Sequence, residues 1–274
     1  MPTVDLDGVL GCLRVERIDG DRWRAPNLEM DYRRIFGGQL LAQAIALATA
    51  SAEAKSVKSV SCLFPREGRL DDPFEFVVEE TQTGRAFAAR RISAVQDGKT
   101  FFVAQVSLHV DEDGLDHQDE HPDVGLPDGA TDVDLGMIPW ECRVVDGVDL
   151  EARSVGPAEY GFWTRVDRPL DDPAPQALLA YATDLTVIGT ALRPHEGIGQ
   201  ADAHVRLHTA VTGHTMWFHR PFRLDDWCLI HQRVPVTAGA RAFGQGHVWD
   251  ALGRLVASFA QESMIRPLPD DATP

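Results

Sequence analysis

The sequence predicts an α+β protein made of two tandem copies of one unit, each a long buried helix wrapped by an antiparallel sheet. An internal repeat carries most of that expectation. LFPREGRLDD (63–72) returns as WFHRPFRLDD (217–226), matching at Phe64/Phe218, Arg66/Arg220, Arg69/Arg223 and the whole LDD, 154 residues apart. RAF (85–87) recurs at 241–243, a glutamine follows each RAF arginine by 20 residues (Gln105 and Gln261), and LLA at 40–42 answers LLA at 178–180. The same order with slowly drifting offsets marks a duplication, and so long a period means a doubled domain rather than a solenoid. Each half also carries one apolar segment of helical length, followed by strand pairs around turn signals.

GGQLLAQAIALATA (37–50) is apolar nearly all round, which suits a helix buried on every side. RAFAARRISAV (85–95) and KTFFVAQVSLHV (99–110) flank Gln96-Asp97-Gly98, a hairpin turn signal. The stretch 111–136 is dense in Asp, Gly and Pro with no apolar period and reads as an exposed connector. Its His117, Asp119, Glu120 and His121 lack the ordered surroundings a metal site needs. The boundaries that follow are an N-terminal unit at 1–110, an acidic linker at 111–140 and a C-terminal unit at 141–274. In the second unit a helix begins at PQALLAYATDL, with Pro175 in its first turn. AHVRLHTAVT (203–212) alternates, setting Val205, Leu207, Thr209 and Val211 on one face. RAFGQGHVW (241–249) and RLVASFAQESMI (254–265) form the second hairpin around Asp250–Gly253.

The chain has 274 residues, 44 % of them apolar and 25 % charged, the balance of a soluble globular protein. A net charge of −16 argues against nucleic acid or an anionic membrane surface as its main partner. The four cysteines (Cys12, Cys62, Cys142, Cys228) show no metal-ligand spacing, as expected of reduced thiols. The N-terminus lacks a basic, apolar leader, and no apolar run approaches the roughly 20 residues of a membrane helix. A cytoplasmic protein without metal or cofactor is the expectation.

LLAYATDLTVIGTAL (178–192) holds a single carboxylate, Asp184, inside a segment that wants to be buried. An ionised acid in apolar surroundings is costly unless paired, so it tends to persist where chemistry needs it. Gln261 shares a strand face with Leu255, Ala257 and Phe259, which makes it a buried amide needing partners at both ends. An acid and an amide could fix one water in an apolar tunnel for hydrolysis, or simply tether helix to sheet. Residue types alone leave both open. The first half keeps Gln105 but has Ala46 where Asp184 would fall, and a structural acid would have reason to persist in both copies. Gly37 and Gly38 open the first buried helix, where free N–H groups could cradle a thioester oxygen or a phosphate, or serve tight packing. Arg33, Arg34, Arg66 and Arg220 could meet phosphates, although the repeated Arg66/Arg220 pair also suits an architectural role. Neither GxSxG nor HExxH is present.

FGGQLLAQA (36–44), LAYATDLTVIGTAL (179–192), HTMWFHRPFRLDDW (214–227), ARAFGQGHVWDALGRLVAS (240–258) and QESMIRP (261–267) together resemble the acyl-CoA thioesterase II family. The resemblance runs from about residue 8 to 267. It implies a double hotdog fold and hydrolysis of fatty acyl-CoA to free acid and CoA, with no metal and no covalent intermediate. It also implies a homo-oligomer associating through sheet edges. In such a site the water is activated by an Asp of the second helix, a Ser or Thr hydroxyl three residues before the motif histidine, and a Gln of the last strand. Asp184 and Gln261 occupy the first and third places. The second falls on Val211, three residues before His214, and valine can neither donate nor accept. Losing one such bond commonly costs about 2–4 kcal/mol in a transition state, so weakened turnover is expected. Thr212 substitutes only if a bulge near Gly213 turns it inward. The alternatives are an acyl-CoA-binding protein without turnover and a CoA-linked dehydratase, whose Asp…Asn-Pro…His signature is absent.

Overall fold

A computed structural model describes residues 4–30 and 33–268. The N-terminal half supplies α1 (Leu6–Cys12), β1 (Glu16–Asp19), β2 (Arg22–Arg24), α2 (Gly37–Ala50), β3 (Ser56–Leu63), β4 (Glu75–Thr83), β5 (Phe87–Gln96) and β6 (Lys99–His109). The C-terminal half supplies β7 (Thr131–Asp132), β8 (Glu141–Val144), β9 (Glu159–Arg165), α3 (Ala174–Thr183), α4 (Val187–Leu192), β10 (Leu207–Phe218), β11 (Cys228–Ala238), β12 (Arg241–Asp250) and β13 (Leu255–Pro267). All strands lie in one antiparallel sheet, ordered β1-β2-β4-β5-β6-β3-β10-β13-β12-β11-β9-β8-β7. The run β4-β5-β6-β3 is mirrored by β11-β12-β13-β10, and β3 pairs with β10 at the centre. The repeat in the sequence is thus a repeat in space, with α2 and α3 packed together inside the curved sheet. This is the double hotdog architecture.

The elements form where patterning demands them. The first apolar run is helical over the whole of Gly37–Ala50, and almost every residue from Gly38 to Ala48 is buried. The β5–β6 hairpin turns on Asp97 and Gly98, at φ of 50° and 70°. A two-residue turn with both φ values positive matches the twist of the strands it joins, and glycine adopts that conformation without strain.

The structure departs from the sequence reading in four places. The second apolar run is not one helix: α3 stops at Thr183, Asp184 is its C-cap, and α4 restarts at Val187. Thr183 turns its hydroxyl back onto the Ala180 carbonyl at 3.0 Å, a side-chain bond that competes with the helical ladder. β10 begins at Leu207 rather than Ala203, because His204 adopts a φ of 64° and its N–H bonds the Leu207 carbonyl at 2.7 Å. Gln105 is exposed, whereas Gln261 faces the interior. The ladders explain why: His214 opposes Gln261, and in the first half Val60 opposes Val106, so Val106 occupies the inward place that corresponds to Gln261. Equal spacing from the RAF arginine therefore misaligned the two glutamines by one residue, which in a strand means opposite faces.

The fourth departure is the acidic connector, which is exposed along most of its length but anchored. Gln118 donates to the Gly253 carbonyl (2.8 Å) and accepts from the Leu255 N–H (2.9 Å). His121 stacks on Trp163 and meets Trp249 edge-to-face, and Asp116 pairs with Arg220. Residues 131–132 at its end already belong to the sheet.

Glycine governs how closely the two internal helices meet. A Cβ on Gly38 would lie 2.6 Å from the Tyr181 carbonyl of α3 and 2.4 Å from the Phe36 ring. Overpacking of that kind typically costs about 1–3 kcal/mol. Gly38→Ala is expected to lower the midpoint of urea unfolding by a corresponding amount; an unchanged midpoint would show that the helix ends part without cost.

Candidate active site

A cavity of about 670 Å³ lies between the start of α2, the break after α3 and the first half of β10. Leu40, Phe64, Phe101, Met137, Ile188 and Met264 give it apolar walls, with Gly37, Asp184, Thr209 and Val211 also on its surface. Asp184 is only 3 % exposed, and its Oδ1 has no hydrogen-bond partner among the described residues. Burial pushes its carboxyl up to about 7, only partly opposed by the backbone N–H of Gly38. A Cβ on Gly37 would approach Asp184 Oδ2 to 2.8 Å, so the glycine leaves that oxygen its space. The first half thus delivers a helix start directly onto the second half's acid. Gly37 borders the cavity, while Gly38 lies behind it against Phe36 and Tyr181.

Gln261 is held in a chain of buried polar groups. His214 Nδ1 lies 3.0 Å from Gln261 Oε1, and His214 Nε2 lies 3.2 Å from the Thr183 hydroxyl. A carbonyl oxygen only accepts, so Nδ1 carries the imidazole proton and the unprotonated Nε2 faces the Thr183 hydroxyl, whose one proton has two acceptors within reach, Nε2 and the Ala180 carbonyl. Burial holds His214 neutral, its pKa pushed down to about 4. Gln261 Nε2 then donates to the Ser263 hydroxyl at 3.0 Å. Asp184 and Gln261 share no direct hydrogen bond among the described residues. The link between them runs through Thr183, the neighbour of Asp184 in the chain, and His214. Sequence reasoning used His214 only as a landmark and did not single out Thr183 or Ser263. The signal available was alternation along β13, which puts Ser263 on the same face as Gln261.

A bulge is present near Gly213, and Thr212 borders the cavity, but its hydroxyl does not turn inward. Val211 opposes Ser263 and Gly213 opposes Glu262, which leaves Thr212 as the extra residue. Its hydroxyl is engaged with the Glu262 carbonyl (3.1 Å) and carboxylate (3.0 Å). Val211 keeps the inward position.

The paired arginines do the same structural job in both halves. Arg66 donates to the Thr100 carbonyl (2.8 Å) and Arg220 to the Leu255 carbonyl (2.7 Å), each at the start of its half's last strand. Arg66 and Arg34 also line the cavity, Arg34 paired with Glu67 at 3.0 Å; Arg33 is exposed. His117, Asp119, Glu120 and His121 form no metal-binding group, nor do any other described residues. No helix among them is long and apolar enough to cross a membrane.

With this geometry in place, comparison with known proteins gives a consistent result. The family model described as acyl-CoA thioesterase matches residues 160–264, and that of the acyl-CoA thioesterase N-terminal domain matches residues 27–109. The chain is similar to acyl-CoA thioesterase 2 of Haemophilus influenzae, 32 % identical over 95 % of this chain and 98 % of that protein. It is similar also to human acyl-coenzyme A thioesterase 8, 31 % identical over 98 % and 92 % of the two chains. Among solved structures, the acyl-CoA thioesterase II TesB2 of Mycobacterium marinum superposes with a TM-score of 0.80 at 30 % identity, covering 96 % of this chain and 99 % of that one. The fold and the buried acid define a thioester hydrolase. The chain belongs to the acyl-CoA thioesterase II family.

The buried acid has a consequence for stability. The folded-state pKa of Asp184 lies above that of an unfolded aspartate, so the fold favours its neutral form. That contribution is fully present in acid and is lost as pH rises through about 7. Asp184→Asn is therefore expected to gain Tm relative to the wild-type chain as pH is raised from about 5 to about 8. Parallel pH profiles for the two proteins would show that the carboxyl titrates normally.

Proposed function

We propose that Asp184 and Gln261 hold and activate a single water that hydrolyses fatty acyl-CoA thioesters within this cavity. One observation carries the reading: a carboxylate with a buried oxygen that has no partner among the described residues sits on the wall of an apolar cavity large enough for an acyl chain. Desolvation brings its pKa into the range where a general base works best at neutral pH. Water gives a proton to Asp184 as its oxygen bonds the thioester carbonyl carbon. Collapse of the tetrahedral species breaks the C–S bond, and the proton held by Asp184 passes to the departing thiolate, leaving free acid and CoA. Gln261, locked by His214, orients the water's oxygen. Gly37 shapes the end of the cavity where the thioester lies, and Gly38 steadies the carboxylate. Arg34 and Arg66, on the cavity wall, supply positive charge for CoA phosphates.

Val211 leaves the water one hydrogen bond short, and turnover is correspondingly weakened unless another hydroxyl stands in. That same residue favours a second reading, an acyl-CoA-binding protein without turnover. The wider reading is a cytoplasmic homo-oligomer of two hotdog units, 1–110 and 141–274, joined by the linker at 111–140. The terminal strands β1 and β7 are the sheet edges open to association.

Thiol release from fatty acyl-CoA separates the two readings. Asp184→Ala and Gln261→Ala are each expected to lower kcat by about 10² or more with little change in KM. The acid limb of the kcat/KM profile is expected near pH 7, since the base must be ionised, and to vanish in Asp184→Asn. An unchanged rate in Asp184→Ala would end the hydrolytic assignment of that residue.

A further inference from the structure

The cavity wall lacks a hydroxyl at Val211, and the neighbouring strand carries one beside that point. Ser263 stands directly opposite Val211 in the antiparallel β10–β13 ladder. Side chains so paired share a face and stand about 5 Å apart at Cβ. Ser263 is completely buried. One of its two lone pairs receives the Gln261 N–H at 3.0 Å, and its own proton has no acceptor among the described residues. A buried hydroxyl with an uncommitted proton is costly unless something completes it. We infer that Ser263 does the work of the hydroxyl missing at Val211, fixing the Gln261 amide on one side and donating to the hydrolytic water on the other. Thr209 is the competing hydroxyl, buried and unpartnered on the cavity wall. It opposes Ile265, one inward position further from Gln261, and has no bond to the His214–Gln261 chain. Among the described residues, Ser263 both bonds Gln261 and stands across the ladder from Val211.

The inference rests on the Asp184/Gln261 reading, and a hydroxyl swap in the full-length enzyme tests it. Ser263→Ala is expected to lower kcat for acyl-CoA hydrolysis by about 10² with KM within about twofold, and to leave the pH of the acid limb in place. Val211→Thr on the wild-type background is expected to change kcat by less than about threefold, because the hydroxyl is already supplied. Val211→Thr combined with Ser263→Ala is expected to recover about tenfold or more of the loss. Should the alanine variant fail to fold, Ser263→Cys keeps the volume, weakens the donor and is read in the same way. Wild-type turnover in Ser263→Ala, or a loss that Val211→Thr does not restore, overturns the inference. So does a rate loss that appears in Thr209→Val and not in Ser263→Ala. If Asp184→Asn abolishes hydrolysis while Ser263→Ala does not, only this inference falls; if Asp184→Asn is fully active, the underlying reading falls as well.

Discussion

The site depends on how closely the start of α2 approaches the end of α3. Without side chains at Gly37 and Gly38, backbone meets backbone, and the acid at the helix break is sealed from bulk water by a segment of the other half. A methyl group at Gly38 would already press on the Tyr181 carbonyl. From that one approach follow the burial of Asp184, the N–H aimed at it, and the lift in its pKa. The enzyme is therefore more than two domains on a string. One copy supplies the helix start that covers the cavity and the other supplies the buried acid.

The same division shows in how buried polar residues are shared between the two copies. Where the second half has Asp184, His214 and Gln261, the corresponding positions of the first are Ala46, Val60 and Val106, all buried and apolar. An acid or imidazole at those places would need the partners that only the second half retains, and an orphaned polar group in a packed core is expensive. Once the site spans both halves, the first is free to become scaffold. Its helix start and Phe64 still border the cavity.

Within the C-terminal half, a line of buried polar groups runs from the end of α3 to β13. Thr183, His214, Gln261 and Ser263 form one buried line, and neutrality of His214 lets Nδ1 donate to Gln261 while Nε2 faces the Thr183 hydroxyl. Such a network fixes the amide's orientation more firmly than packing could. Beside it, the Oδ1 of Asp184 has no hydrogen-bond partner among the described residues, and Asp184 borders the cavity.

The sequence by itself determined the duplication, the two buried apolar segments, the two hairpins, and the burial of one acid and one amide. Each of these is a local or periodic property: repeated words, an unbroken apolar run, alternation about a turn, one charge where none belongs. Tertiary structure decided the rest. The break at Asp184 depends on a threonine bonding back to its own helix; the outward turn of Gln105 depends on a ladder register that a one-residue offset conceals. Ser263 lies across the ladder from Val211, a residue more than fifty positions away. Strand register and helix approach are set by partners distant in the chain, and no local pattern records which side chains they will bring face to face.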